Sequence, residues 1–451
     1  MRIELGIPMK LSEIAYAVGG KLITEKDTLI KYVSTDSREV EKGDLFIALK
    51  GANFSGEYFV SDVKKRGGYT ISCNNIYGDI LHPDGRSALL SFAAFYNQNL
   101  PYILYKIGIT GSVGKTTTKE FLRILLSEKY ITHASEGNFN NEIGLPLSLL
   151  SAKNNTEILI MEMGMNQLGE IRKLSKCVRP NIGIITNIGT AHIGNLGNRK
   201  NIAKAKMELT AGMNGGTLLV PYDEPLLDSV KNKKTFSLKN IEANYLLTID
   251  TKGEIFLFKN QKLYTRSAFA LSEEHHRKCL LAAASAAIEI GITSDDLSNG
   301  ISKISADNTR QKVFLLENLH FYTDFYNSSR ESVFAFIESA KEVRSISKKS
   351  LLLGDILELG DMSQTIHQEI GNYISPHIFN NLFLFGNHIE YIAYSAIEQG
   401  FPKERLFINH DLSDPKITAE QIRSNCQKGE TIFMKASRAI RLERVLEYFR
   451  K

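Results

Sequence analysis

Apolar positions fall into short, nearly continuous runs separated by stretches with helical spacing, and the clearest case lies near the middle of the chain. Tyr102 to Ile109 is a mostly apolar, β-prone run that feeds into Thr110-Gly111-Ser112-Val113-Gly114-Lys115-Thr116-Thr117-Thr118. Lys119 to Leu126 follows with apolar residues at helical spacing. This order predicts strand, glycine loop, helix. Two more strands are predicted at Glu157 to Met163 and Asn181 to Ile188, each separated from its neighbour by enough chain for a crossover helix. Runs apolar along their whole length suit strands covered on both faces, so a doubly wound parallel α/β sheet is the expected core.

The flanks differ from this core. Residues 1–101 read as a separate mixed α/β unit, with turns at Lys42-Gly43-Asp44 and Arg66-Gly67-Gly68. Residues 102–308 hold the core and an Ala-rich helix from Leu280 to Ile290, ended by Gly291 at the position of a C-terminal glycine cap. Residues 309–451 start a new alternation that predicts a Rossmann-like α/β unit. Its strands are expected at Leu315 to Phe325, Ser350 to Gly354, Asn381 to Phe385 and Thr431 to Met434, and its helices include Ser332 to Val343 and Ala439 to Tyr448. Asn154-Asn155 and Lys231-Asn232-Lys233-Lys234 read as loops, and no internal repeat is visible.

Composition narrows the function classes. The 451 residues are 43% hydrophobic and 23% charged, which is ordinary for a globular chain and excludes fibrous and wholly disordered classes. A net charge of +5 with no basic stripe interleaved with aromatics argues against a nucleic-acid partner. The most apolar stretch, Leu280 to Ile288, is flanked by Lys278 and Glu289 and is far short of a membrane span. The first residues lack the apolar segment and cleavage site of a secretory leader, so a cytoplasmic protein without membrane insertion is expected. Cys73, Cys177, Cys279 and Cys426 have no paired spacing and support neither a disulfide framework nor a zinc site.

The loop Gly111 to Thr117 has the parts of a phosphate cradle. Glycines let backbone N–H groups approach phosphate oxygens, the helix start adds its positive end, Lys115 can reach the terminal phosphates, and the Thr116 hydroxyl can hold Mg²⁺. The residue five before Gly114 is Ile109, so the spacing is a shorter G-x-x-G-K-T form of the common pattern. Glu162, at the end of its predicted strand, is placed either to ligate magnesium or simply to meet solvent. His192 follows the next strand and is equally open between a ligand and a capping role.

Taken together these segments resemble the ATP-dependent Mur ligases. The resemblance is carried by Gly108 to Thr117, Gly137 to Pro146, Met161 to Asn166, Thr186 to His192 and Asn201 to Glu208. It extends to Ser34-Thr35-Asp36-Ser37-Arg38 and Gly43 to Gly51, similar to the family's uridine-nucleotide unit, and to Leu353 to Gly360, His367 and Lys435-Ala436-Ser437-Arg438 of its C-terminal unit. It implies amide-bond formation driven by ATP and Mg²⁺, in which a carboxylate attacks the γ-phosphate to give an acyl phosphate and an amine then displaces phosphate. The implied substrates are a UDP-linked muramoyl peptide and D-alanyl-D-alanine, and the implied state is a monomer.

Residue by residue, the resemblance assigns the nucleotide to Gly111, Ser112, Gly114, Lys115, Thr116, Thr117, Asn187, His275, Arg310, Asp324 and Asn327. It assigns the substrates to Ser37, Arg38, Asn140, Asn141, Lys435, Ser437 and Arg438, and the metal to Thr116, Glu162, His192 and a carbamylated Lys206. Lys115, Lys206 and His192 would act in the chemistry. The alternative for Lys206 is an ordinary helix-surface lysine.

Several positions depart from the family's pattern. His275-His276 and Cys279 stand where it has His-Asn and a second Asn, and Asn327-Ser328-Ser329-Arg330 replaces an Asn-Ala-Asn-Pro continuation. Lys435-Ala436-Ser437-Arg438 stands for Lys-Gly-Ser-Arg, Gly56-Glu57 for Gly-His, and Asn166-Gln167 for Asn-His. Phosphate and metal positions are intact while recognition positions drift, which leaves open a ligase of the same design acting on another carboxylate or amine, and a nucleotide-dependent switch protein. Enzymes that condense two substrates commonly close around them, so a hinge is predicted near residues 305 to 312. Crystals of the ligand-free and fully liganded protein should differ in domain angle, and identical angles would defeat the hinge.

Overall fold

Three sheets, each strung from its own stretch of sequence, carry the molecule. The computed structural model describes all residues except 52–53, 74–75, 272, 306–311, 326, 344–347 and 451. Arg310, Tyr326 and nearly all of the expected hinge lie outside the described residues.

In the central sheet the strand Tyr105–Thr110 lies between Ile182–Ile185 and Ile158–Glu162, parallel to both. Thr132–Ala134 closes one edge beyond Ile158–Glu162. On the other side Thr217–Pro221, Lys233–Ser237 and Tyr245–Ile249 continue the parallel run, and Glu254–Lys259 and Lys262–Ala268 add antiparallel strands. Ile158–Glu162 is buried throughout, which is why it reads as an unbroken apolar run. The carboxyl ends of the three inner strands open onto one crevice, the usual ligand position in such sheets. Helix Lys115–Leu126 buries Phe121, Leu122, Leu125 and Leu126, and packs against helix Glu274–Ile290. Ala282, Ala283, Ala284, Ala286 and Ala287 on the latter are all buried and keep it slim enough for close packing.

The N-terminal sheet runs Arg2–Lys10, Leu29–Ser34, Leu45–Ile47, Tyr69–Ser72, Ile80–Leu81, Lys21–Leu22, with antiparallel pairs at its two edges. It is joined tightly to the central unit. The Tyr96 hydroxyl donates to the Ala152 carbonyl at 2.6 Å, and Asn97 Nδ2 donates to the carbonyls of Cys177 and Val178 at 3.0 and 2.7 Å. Leu5, Phe92, Leu149 and Leu174 belong to one continuous buried cluster, so no water layer separates the two units.

The C-terminal sheet runs Lys312–Leu316, Leu319–Asp324, Thr431–Lys435, Lys349–Gly354, Leu382–Phe385, Leu406–Asn409, parallel except for the first pair. Two expectations change here, and a third changes in the central sheet. The single strand expected over Leu315 to Phe325 is a hairpin, because Glu317 and Asn318 both take positive φ (48° and 63°) and turn the chain back. The helix expected over Ala439 to Tyr448 is split by Arg441 at φ 53° into a short 3₁₀ turn, Arg438–Ile440, and helix Arg444–Glu447. In the central sheet, the loop expected through Lys234 ends at Asn232 (φ 56°), and Lys233 already belongs to a strand. Gly291 caps its helix as expected, with φ 90° and its N–H on the Ala287 and Ile288 carbonyls. Among the described residues no helix is long and apolar enough to cross a membrane.

Gly6 marks the tightest point between the first two units. A Cβ there would lie 1.9 Å from the Ala152 carbonyl oxygen and 2.4 Å from its carbon, both backbone atoms that cannot rotate aside. Gly6→Ala should therefore cost about 1–3 kcal/mol and lower the unfolding temperature by several degrees. An unchanged thermal transition would show that the junction yields.

Candidate active site

The phosphate loop is held in shape by the neighbouring strand's exit loop. Val113 N–H donates to Asn187 Oδ1 at 2.9 Å, Ser112 N–H to the Asn187 carbonyl at 3.3 Å, and Thr186 Oγ1 to the Val113 carbonyl at 2.6 Å. Ser112 Oγ accepts from Gly189 N–H at 2.9 Å. A Cβ on Gly111 would lie 1.8 Å from Thr186 Oγ1, so the close approach demands glycine. Gly114, at φ 81° just before helix Lys115–Leu126, adopts a left-handed turn that side chains resist. The helix start thus points its unsatisfied N–H groups and positive end into the crevice. Lys115 Nζ donates to the Gly111 carbonyl at 2.8 Å, folded over its own loop.

Beside it, the Thr116 hydroxyl donates to Glu162 Oε2 at 2.6 Å and Asn140 Nδ2 donates to Glu162 Oε1 at 2.8 Å. Glu162 is buried. A hydroxyl and a carboxylate held together are hard oxygen donors of the kind magnesium takes, with phosphate and water completing its shell. Among the described residues no group of three or more His, Cys, Asp or Glu converges, so no all-protein metal cage competes with that arrangement. Lys206, on helix Arg199–Met207, is 1% exposed. Burial, and then the charge of Lys115, push its amine well below the ordinary lysine range. His192 follows the strand Ile182–Ile185, and its Nδ1 lies 2.7 Å from Glu358 of the C-terminal unit.

The opposite wall comes from the C-terminal unit and the helix Glu274–Ile290. Lys435 Nζ is paired with Asp324 Oδ2 at 2.5 Å and donates to the Asn327 carbonyl at 3.0 Å, so a residue expected to meet substrate and two expected to meet nucleotide form one cluster. His275 and His276 face each other with Nε2 atoms 3.0 Å apart, and burial followed by the His276 charge holds His275 down at about 3, hence neutral at ordinary pH. His276 Nδ1 lies 3.1 Å from Glu273 Oε2. Among the described residues the buried Ser328 hydroxyl has no hydrogen-bond partner.

These walls enclose a cavity of about 720 Å³. Its lining includes Ser112, Gly114, Lys115, Thr116, Thr117, Asn140, Asn141, Glu162, Asn187, His192, His275, Asp324, Asn327 and Lys435. Gly111 and Lys206 do not line it; Gly111 accepts from Lys115 Nζ through its carbonyl, and Lys206 is buried within electrostatic reach of Lys115. Other expected residues are engaged elsewhere. Arg38 forks onto Asp36 at 2.9 and 2.6 Å on the surface, and the Ser37 carbonyl accepts from Arg66. Ser437 Oγ accepts from Leu357 N–H at 3.0 Å, Arg438 pairs with Glu443, and neither lines the cavity. Asn141 lines it, but its Oδ1 is committed to the N–H groups of Ile143 and Gly144 at the start of helix Gly144–Leu150. The sequence reading missed Arg86, Glu273 and Glu331, which also line or flank the cavity, and Glu358. Glu331 accepts from Thr190 N–H at 3.0 and 3.1 Å and from Thr190 Oγ1 at 3.1 Å, across the unit boundary. Of these only Glu358 falls within a segment that carried the resemblance, Leu353 to Gly360, where it was given no role of its own.

A P-loop α/β enzyme with its cavity closed by a third unit is the class that this geometry defines. Residues 109–287 match the Mur ligase middle domain. The chain is 34% identical to the UDP-N-acetylmuramoyl-tripeptide--D-alanyl-D-alanine ligase of Bacillus subtilis, over 98% of each chain. It is 30% identical to the enzyme of that name from Treponema pallidum, over 93% of this chain and 94% of that one. Among solved structures, MurF from Acinetobacter baumannii superposes with a TM-score of 0.87 at 26% identity over 99% of both chains. MurF ligase from Thermotoga maritima in complex with ADP gives 0.79 at 27% identity, over 92% of this chain and 96% of that one. The chain belongs to the Mur ligase family, in its UDP-N-acetylmuramoyl-tripeptide--D-alanyl-D-alanine ligase branch.

The Glu273 carboxyl is held at about 2, below the ordinary 4.5, chiefly by its hydrogen bond with His276. A depressed carboxylate stabilises the fold fully above its unfolded pKa and ceases to do so as pH falls through the folded one. Wild type should therefore be more stable than Glu273→Gln above pH 4.5, and chemical denaturation should show the difference closing as pH falls toward 2. A difference that stays constant to pH 2 would assign it to something other than this carboxylate.

Proposed function

We propose that the protein is an ATP-dependent, ADP-forming amide ligase that joins D-alanyl-D-alanine to UDP-N-acetylmuramoyl tripeptide, supplying a peptidoglycan precursor. The observation that carries this reading is end-to-end likeness to enzymes named for that reaction, at 34% identity over 98% of the chain. The braced loop with Lys115 at its end supplies the matching chemistry.

Phosphoryl transfer needs charge neutralised on the moving group and the two reactants held in line. Lys115 would leave the Gly111 carbonyl and place its ammonium on the terminal phosphates, while the loop and helix N–H groups hold the phosphate chain. Thr116 and Glu162 would hold one Mg²⁺, and His192 with Lys206 a second; the ions supply charge neutralisation at the phosphoryl oxygens. Lys206 fits such a role only once modified. Its depressed basicity favours the neutral amine, whose nitrogen can add to CO₂ and release a proton to give an anionic carbamate. That conversion replaces two neighbouring amines by an amine beside an oxygen ligand, removing the repulsion from Lys115. The carboxylate of the muramoyl peptide then attacks the γ-phosphate, ADP leaves, and the amine of the dipeptide displaces phosphate from the acyl phosphate. Asp324, Asn327 and Lys435 would bring the C-terminal unit onto the bound nucleotide. Every group given a role here lies on one chain, which agrees with a monomer as the working unit.

ADP release should require ATP, the UDP-linked tripeptide and D-alanyl-D-alanine together. Lys115→Ala should slow it by about 10²–10³-fold, the usual effect of removing a preorganised positive partner from developing charge. Release that ignores the dipeptide would point to a nucleotide switch, and equal rates for variant and wild type would remove Lys115 from the chemistry.

A further inference from the structure

His192 and Glu358 meet across the boundary between the central and C-terminal units. Glu358 does not line the cavity, whereas His192 does. An ionised carboxylate only accepts hydrogen bonds, so a Glu358 Oε2 at 2.7 Å from Nδ1 requires the proton on Nδ1, and in the neutral ring this leaves the Nε2 lone pair available. The backbone on both sides is set for this contact. His192 has φ 64° and Glu358 φ 63°, conformations that side chains rarely adopt without support from their surroundings. Gly194 N–H donates to the Glu358 carbonyl at 3.0 Å, and a Cβ on Gly194 would lie 2.7 Å from that oxygen and 2.8 Å from Gly360 N. The Glu358 side chain is 53% exposed, and an ion pair so open to water adds little to stability. Two unusual backbone conformations thus maintain a contact of small energetic worth, which points to the histidine's orientation as what the contact secures.

We propose that Glu358 is a positioning residue, fixing the tautomer and ring orientation of His192 from the C-terminal unit so that Nε2 faces the cation site. The inference rests on the reading of His192 as a metal ligand. It follows that the second cation position is complete only when the C-terminal unit is docked. Carboxylates in this relation to a metal-binding histidine typically contribute 10–100-fold in affinity.

The test is a titration with Mn²⁺, followed by electron paramagnetic resonance, on full-length protein saturated with a non-hydrolysable ATP analogue. His192→Ala and Glu358→Ala should each weaken the affected Mn²⁺ site, the latter by about 10–100-fold. Glu358→Gln, which keeps the shape and an accepting oxygen, should bind close to wild type, whereas Glu358→Met, of similar size without that oxygen, should lose as much as the alanine variant and covers the case in which the latter fails to fold. Wild-type affinity in Glu358→Ala beside weakened His192→Ala would overturn the positioning role and leave the metal reading intact. Wild-type affinity in His192→Ala would overturn the metal reading and this inference with it. Glu331→Ala removes a separate side-chain bridge across the same boundary, to Thr190, without touching His192; a loss equal to that of Glu358→Ala would assign the effect to docking alone and overturn the proposal.

Discussion

The molecule depends on a phosphate loop whose shape is set before any phosphate arrives. Backbone N–H groups bind an anion strongly only if they already converge, because reorganising them on binding would consume the gain. Here Asn187, Thr186 and Gly189 grip the loop from the next strand over, and Gly111 permits the approach. Both strands belong to the same parallel sheet and are paired directly, so the grip inherits the sheet's rigidity. The same exit loop carries Thr190 and His192, which meet the C-terminal unit through Glu331 and Glu358. One stretch of seven residues therefore touches the nucleotide loop at one end and the closing unit at the other.

Burial of polar groups follows the same logic. Glu162, Lys206, Lys435 and His276 are all buried, and each is costly to remove from water unless paired. Glu162 has Thr116 and Asn140, Lys435 has Asp324, and His276 has Glu273. Such concentration of buried ionisable groups around one cavity is characteristic of a site arranged for chemistry, since packing alone would favour apolar side chains there.

The central sheet was legible in the sequence because its strands are covered on both faces and read as unbroken apolar runs, and because glycine spacing has a direct backbone meaning at Gly111 and Gly114. Lys115, Thr116 and Glu162 were readable for the same reason: each lies at a strand end or helix start whose position the runs dictate. The hairpin turn at Glu317-Asn318 and the break at Arg441 were not, since non-glycine residues there take left-handed conformations that no local pattern announces. Glu331 and Glu358 escaped because their partners, Thr190 and His192, are 141 and 166 residues away, and charge on a helix start or loop is ordinarily solvated. Arg38 illustrates the reverse case: its motif drew attention to it, but in the structure its guanidinium is held by Asp36.

The junction at Gly6, Tyr96 and Asn97 has a consequence for what the molecule can hold. Because the first unit is fastened to the second by backbone-to-backbone proximity and a shared core, that packing sets how far the first unit stands from the phosphate loop. A long ligand anchored at one extremity in the first unit would present its far end to the phosphate loop only if its stem matched that distance. In such a welded pair, reach would count alongside the groups at a ligand's tips.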